Sequence, residues 1–203
     1  MMRDPVVFVV DDNADVRESL TWLLESVGLT VQAFSTAGQF LEEYDPDQPG
    51  CLVLDVRMPG MSGLELQEEL TERGIRIPVI IITGHADVSM AVRAMKSGAM
   101  DFIEKPFNDQ ALLDRVNRAI EHDAKQRSQH VRVAELTARI DLLTAREREV
   151  MDMVVVGKPN REIAELLGVT SKTVEAHRAK IMEKMEASSL ADLVRMVVTC
   201  TGV

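Results

Sequence analysis

Long apolar runs are missing from this 203-residue sequence. None approaches the roughly 18–20 residues that a helix needs to cross a bilayer, which predicts no membrane span. The chain enters the apolar stretch Val6–Val10 without a basic segment or a small-residue cleavage site, so no secretory signal is expected. Cysteine is scarce: Cys51 and Cys200 lie far apart and suggest no disulfide framework. Cys51 opens an apolar run and reads as a small buried hydrophobe. The four histidines are scattered, with no metal-ligand spacing. These absences together predict a cytoplasmic protein.

An excess of positive charge is also missing. The net charge of −10 argues at first against a nucleic-acid partner. The charge is unevenly spread, however. Met1 to Lys125 holds 11 Lys and Arg against 22 Asp and Glu, while Gln126 to Val203 holds 12 against 11. The acidity belongs to the first part, and the near-neutral tail leaves room for a local basic patch. With 46% hydrophobic and 28% charged residues, the composition is that of a globular protein long enough for one large domain or two small ones.

The first part alternates strand and helix signals. Val6–Val10, Thr30–Phe34, Cys51–Leu54, Pro78–Ile82 and Asp101–Ile103 read as strands, three of them near-continuous apolar runs suited to burial on both faces. Amphipathic stretches near Val16–Val27, Ala37–Glu43, Leu64–Arg73, Val88–Ser97 and Gln110–Glu121 read as helices. Gly28, Gly74 and Gly98 follow three of them, where helices commonly stop. Five such βα units predict a doubly wound, five-stranded parallel sheet of flavodoxin-like order, with its site at the carboxyl ends of the strands. This α/β domain is expected over residues 1–123.

Residues 124–143 hold no Gly or Pro, are rich in charge, and space Val133, Leu136, Ile140 and Leu143 along one stripe. They predict a helical linker, open to two readings: a signalling or dimer helix, or a spacer packed on its own domain. Residues 144–203 show only helical periodicity, near Ala145–Val156, Asn160–Leu167, Ser171–Met185 and Leu190–Val198. A small all-α, four-helix domain follows.

Four predicted strands end in polar groups: Asp11 and Asp12, then Asp55, then Thr83, then Lys105. A parallel sheet brings such ends to one edge. Clustered carboxylates repel and need a cation or protons. An all-oxygen donor set suits Mg²⁺, which usually binds alongside a phosphate. Asp55 has the chemistry of a carboxylate nucleophile toward phosphorus, with Thr83 and Lys105 available to phosphoryl oxygens. Each group also has a plain reading: Asp11 or Asp12 as a helix cap, Asp55 and Thr83-Gly84 as turn residues, Lys105 as a solvated cation.

The runs Val9-Val10-Asp11-Asp12, Leu54-Asp55-Val56-Arg57-Met58-Pro59-Gly60, Ile82-Thr83-Gly84 and Glu104-Lys105-Pro106-Phe107 resemble the receiver domain of bacterial response regulators. The resemblance implies phosphorylation of Asp55 by a sensor histidine kinase. It implies Mg²⁺ on Asp11, Asp12, Asp55 and the carbonyl of Arg57, and phosphoryl contacts from Thr83 and Lys105. A cis peptide before Pro106 and an inward swing of Phe102 behind Thr83 complete the implied switch. Val92 and Lys96 fall on the face that would report it, as candidate dimer contacts.

In the tail, Asn160–Leu167, Gly168-Val169-Thr170 and Ser171–Met185 read as helix, tight turn, helix, with Ile163, Leu166, Leu167, Val174 and Ile181 as the core stripe. Lys172, Thr173 and Arg178 suit phosphates, and Lys180 adds to the basic face; Glu175 suits a cytosine amino group. A solvated, mixed-charge helix fits the same residues. The segments from Leu143 to Val150, Asn160 to Ala164 and Ser171 to Arg178 resemble the LuxR/NarL-type helix-turn-helix, and the whole chain is similar to FixJ-type regulators. This resemblance implies promoter DNA as partner, with Ala176 among the groove-facing residues, RNA polymerase downstream, and a homodimer on phosphorylation. Glu175 stands where many LuxR-type domains carry Lys, which leaves the readout code open. The alternative is a receiver whose helical domain binds protein. A phosphatase is disfavoured, because Arg57 occupies the position where aspartate-nucleophile phosphatases typically carry a second Asp; at most slow loss of the chain's own phosphoryl group is expected.

Overall fold

The computed structural model describes residues 3–84 and 87–201. His85, one of the four histidines, and the outermost residues of both predicted domains (1, 2, 202 and 203) lie outside the described residues. The chain divides into two compact units, Met1–Gln126 and Arg127–Val203.

In the first unit, strands β1 (Val6–Val10), β2 (Thr30–Phe34), β3 (Gly50–Asp55), β4 (Val79–Thr83) and β5 (Asp101–Glu104) form one parallel sheet in the order β2-β1-β3-β4-β5. This is the expected flavodoxin-like order, with its switch point between β1 and β3. β4 begins one residue later than predicted: Pro78 has no N–H for the ladder, and only its carbonyl is used, accepting from the Leu52 amide at 2.9 Å. β3 runs one residue further, so Asp55 is itself the last strand residue.

Both sheet faces are buried, and strand alternation sorts the side chains. Val6, Phe8, Val10, Leu52, Leu54 and Ile81 pack with Phe40 of α2 (Ala37–Glu43), Leu66 and Leu70 of α3 (Gly63–Glu72) and Ala94 of α4 (Val88–Lys96). Val7, Val9, Cys51, Val53, Ile80 and Ile82 pack with Leu20 and Leu24 of α1 (Ala14–Ser26) and with Leu112, Val116 and Ala119 of α5 (Asp109–Asp141). The scarce aromatic rings gather on the first face, where Phe8 meets Phe40 edge-on at 5.7 Å and Tyr44 at 5.2 Å. Asp123 fixes the far end of the sheet: its buried carboxylate accepts from the Gly50 amide at 2.9 Å.

α5 is one unbroken helix through Asp141, so most of the segment predicted as a linker is its C-terminal portion. Helices α6 (Ala145–Val155), α7 (Asn160–Leu167), α8 (Ser171–Lys184) and α9 (Leu190–Thr201) follow, around a core of Val150, Met151, Val154, Ile163, Val174, Ile181, Met185 and Leu193. Leu166, expected in this core, is instead 59% exposed. Ile163 and Ala164 occupy the inward side of α7, and Leu166 falls on its outer flank.

A polar clasp secures this core. Thr144 and Glu147 cap α6 reciprocally, and the buried Glu147 carboxylate accepts from Lys184 Nζ at 2.6 Å. The Lys184 hydrogen bond, with the Thr144 amide, holds the Glu147 carboxyl down at about 2. A lowered carboxyl contributes stability that is present above its ordinary pKa, and that contribution is lost as pH falls through about 2. Glu147→Gln is therefore expected to cost about 1.5–3 kcal/mol at pH 7, the worth of a hydrogen bond to a charged group, and less at pH 2. Thermal melts of both proteins at the two pH values check this; an equal loss at both would contradict the clasp.

Candidate functional site

Asp11, Asp55, Thr83 and Lys105 stand at the carboxyl ends of β1, β3, β4 and β5, and the parallel order places these ends side by side. Lys105 Nζ donates to Asp11 Oδ2 and to Asp55 Oδ1, each at 2.7 Å. Both carboxylates are buried, at 1% and 6% exposure. The remaining oxygens are also used: Asp11 Oδ1 accepts from the Asn13 amide at 2.9 Å, and Asp55 Oδ2 from the Arg57 amide at 2.7 Å. Asp12 is exposed beside them. Neither Asp11 nor Asp12 caps α1; Asn13 does, accepting from the amides of Asp15 and Val16.

The charges do not balance, because two buried carboxylates share one ammonium. Burial pushes the Asp55 carboxyl above its ordinary range, Asp11 adds to the rise, and Lys105 only partly offsets it. For Lys105, burial works against the ammonium, but the hydrogen bonds and charges of Asp11 and Asp55 outweigh it and the pKa rises. The site therefore holds a cation firmly and remains short of positive charge. Among the described residues, no three His, Cys, Asp or Glu side chains close on one point.

Thr83 is fully buried. Strand alternation puts it on the sheet face of Val79 and Ile81, which is also the face of Phe102, the partner of Ile81 across the β4–β5 pair. Phe102 packs against that core without being buried in it. The Lys105 amide donates to the Thr83 carbonyl at 2.8 Å, and the Lys105–Pro106 peptide is cis. On α4, Val88, Val92 and Met95 are 81%, 46% and 50% exposed, and with exposed Lys96 they form a stripe at helical spacing.

Two supporting residues escaped the sequence reading. Arg17 donates from α1 to the Asp11 carbonyl at 2.7 Å. Gly63 opens α3 against the backbone of Asp55, where a Cβ would overlap the Asp55 carbonyl oxygen. A glycine at a helix start, eight residues after the candidate nucleophile, was the only available signal.

In the second unit, α7 ends at Gly168 in the left-handed conformation, φ 65°. Thr170 then caps α8, accepting from the Thr173 amide, and its hydroxyl also meets that of Thr173 at 2.9 Å. Val174 and Ile181 bury one side of α8, while Lys172, Glu175, Ala176 and Lys180 are exposed. Arg178 is half-buried, and its NH1 donates to Asn160 Oδ1 at 2.9 Å, tying α8 to the start of α7. His177 is half-buried too.

Family models for the response regulator receiver domain and for bacterial regulatory proteins of the luxR family match residues 7–117 and 141–197. The chain belongs to the response regulators. Nodulation protein W of Bradyrhizobium diazoefficiens is 51% identical over 191 residues, spanning 94% of this chain and 84% of that protein. The transcriptional regulatory protein FixJ of Azorhizobium caulinodans is 50% identical over 190 residues, spanning 94% and 90%. The solved structure of the response regulator StyR superposes with a TM-score of 0.86 at 47% identity, covering 96% of this chain and 98% of that one. This response regulator is thus a two-component phosphoacceptor protein that acts on DNA through a LuxR-type domain. Its receiver implies a histidine kinase partner, and no described helix is long and apolar enough to cross a membrane.

The raised carboxyl makes a testable demand. A group whose pKa rises on folding favours the folded state below its ordinary pKa, and loses that contribution as pH climbs through the shifted value. Asp55→Asn is expected to raise the melting temperature of the receiver at pH 7 and to lose that gain near pH 3. A destabilised variant at pH 7 would show instead that the ionised Asp55–Lys105 pair is net stabilising.

Proposed function

We propose that Asp55 takes the phosphoryl group directly and that Asp11, Asp12, Asp55 and the Arg57 carbonyl hold Mg²⁺ beside it. The observation that carries this is the pair of buried carboxylates sharing one lysine. Receiver domains generally bind Mg²⁺ at the phosphorylation site, and a hard divalent cation supplies the charge this oxygen set lacks. Asp55 attacks phosphorus through a carboxylate oxygen and the donor's leaving group departs, giving an acyl phosphate. Lys105 then has a phosphoryl oxygen to hold in place of one carboxylate. The hydroxyl of Thr83 approaches the same group, and Phe102 follows into the space behind it. The exposed α4 stripe, including Val92 and Lys96, serves as the homodimer face of the phosphorylated chain.

The receiver occupies residues 1–123, the linker 124–143 and the output domain 144–203, all in the cytoplasm. α8 lies in the major groove, with Lys172, Thr173 and Lys180 set toward phosphates and Glu175 and Ala176 toward bases. Arg178 holds Asn160 through one of its five donors and keeps others for phosphate. The bound dimer engages RNA polymerase at the promoter.

Asp55→Asn is expected to abolish labelling by acetyl phosphate in Mg²⁺, read by intact mass; undiminished labelling would place the acceptor elsewhere. Lys172→Ala is expected to weaken binding to all duplexes and to lower the salt slope by about one, as loss of one phosphate contact does. An unchanged slope in fluorescence anisotropy titrations would remove Lys172 from the interface.

A further inference from the structure

The exposed residues of α8 form one ordered stripe. Lys172, Glu175, Ala176, Ala179, Lys180 and Glu183 are all exposed and recur at helical spacing, opposite the buried Val174, Ile181 and Met185. Glu175 sits in the N-terminal half of that stripe between two lysines. Among the described residues its carboxylate makes no hydrogen bond and no ion pair, although Arg178 is one turn away; that arginine is turned to Asn160. A carboxylate carried toward DNA is repelled by every phosphate, so an unpaired one on this face weakens binding everywhere unless a base offers it a donor.

We propose that Glu175 is a specificity-determining residue that selects cytosine in the major groove. The proposal rests on the reading that α8 enters the groove. An ionised carboxylate only accepts hydrogen bonds. Guanine presents N7 and O6, both acceptors, and thymine presents O4 and a methyl; both repel a carboxylate or leave it unpaired. Adenine offers an amino group next to the N7 acceptor, which opposes the second carboxylate oxygen. Cytosine offers its amino group without that neighbour. The carboxylate thus selects by rejection as much as by attraction, and its general cost in affinity is offset on the correct base alone.

A change of one functional group tests this. The substitution Glu175→Gln keeps the shape of the side chain but replaces the carboxylate with an amide, whose donors and acceptor match adenine N7 and N6. The full-length chain, phosphorylated with acetyl phosphate and Mg²⁺, is used to select from a pool of randomised duplex DNA, alongside E175Q and E175A. Wild type is expected to enrich a motif with cytosine at one position of each half-site. E175Q is expected to enrich adenine at that position, and E175A to show no preference there while the rest of the motif is kept. Competition titrations are expected to give roughly 5- to 150-fold discrimination for wild type, equivalent to about 1–3 kcal/mol per base readout. The same motif for wild type and E175Q overturns the proposal, as does E175A binding every sequence more tightly with an unchanged motif. A wild-type chain that enriches no motif overturns the assignment of α8 to the groove, and this proposal with it.

Discussion

One ammonium group holds two buried carboxylates at the carboxyl edge of the sheet. Lys105 lies 2.7 Å from both Asp11 and Asp55, and without it two like charges would be buried side by side. The lysine only partly solves the problem. Burial still raises the Asp55 carboxyl, so the site keeps an appetite for positive charge. That shortfall is the ground for the proposed ligands: a divalent cation and a phosphoryl group together would satisfy the carboxylates and the lysine better than either would alone. The apolar core below exists, in functional terms, to keep these groups at fixed spacing, with Val9, Val53 and Ile82 fully buried behind them.

In the proposed switch, the same edge would turn a local change in charge into a change in packing. The Lys105 amide is bonded to the Thr83 carbonyl, so the lysine that reads Asp55 is also tied to β4. Thr83 and Phe102 share the sheet face that α4 covers, and Phe102 is packed without being buried. Phosphorylation of Asp55 as proposed would pull on Thr83 beside the half-buried Phe102, and α4 carries exposed Val88, Val92 and Met95. Two-state packing biased by one charged group is the usual basis of phosphorylation switches.

Much of this was legible in the sequence, for physical reasons that differ by element. β1, β3 and β4 announce themselves because strands buried on both faces are apolar almost throughout, and the polar residues at their ends (Asp55, Thr83) or just beyond (Asp11) then stand out. The sheet order follows from repeated βα units. The cap of α1 was not legible: Asp11, Asp12 and Asn13 are all good capping residues, and only the fold shows that Asn13 takes the role and frees Asp11 for Lys105. The unbroken course of α5 was obscured by composition: the charge-rich stretch after Asp123 reads as a separate segment, although no Gly or Pro interrupts the helix. Leu166 was misplaced because periodicity allows three apolar residues on α7, while packing admits Ile163 and Ala164 first. The pairing of Arg178 with Asn160, across the turn, has no signature in spacing at all.

The account stands on Asp55 being the residue that carries the phosphoryl group. Borohydride reduction of the acetyl phosphate-treated chain converts an aspartyl phosphate to homoserine, and peptide mass mapping locates the change. The account predicts homoserine at position 55 alone, formed only when Mg²⁺ is present. Homoserine at another position, or a phosphoryl group that resists hydroxylamine and borohydride, would contradict it.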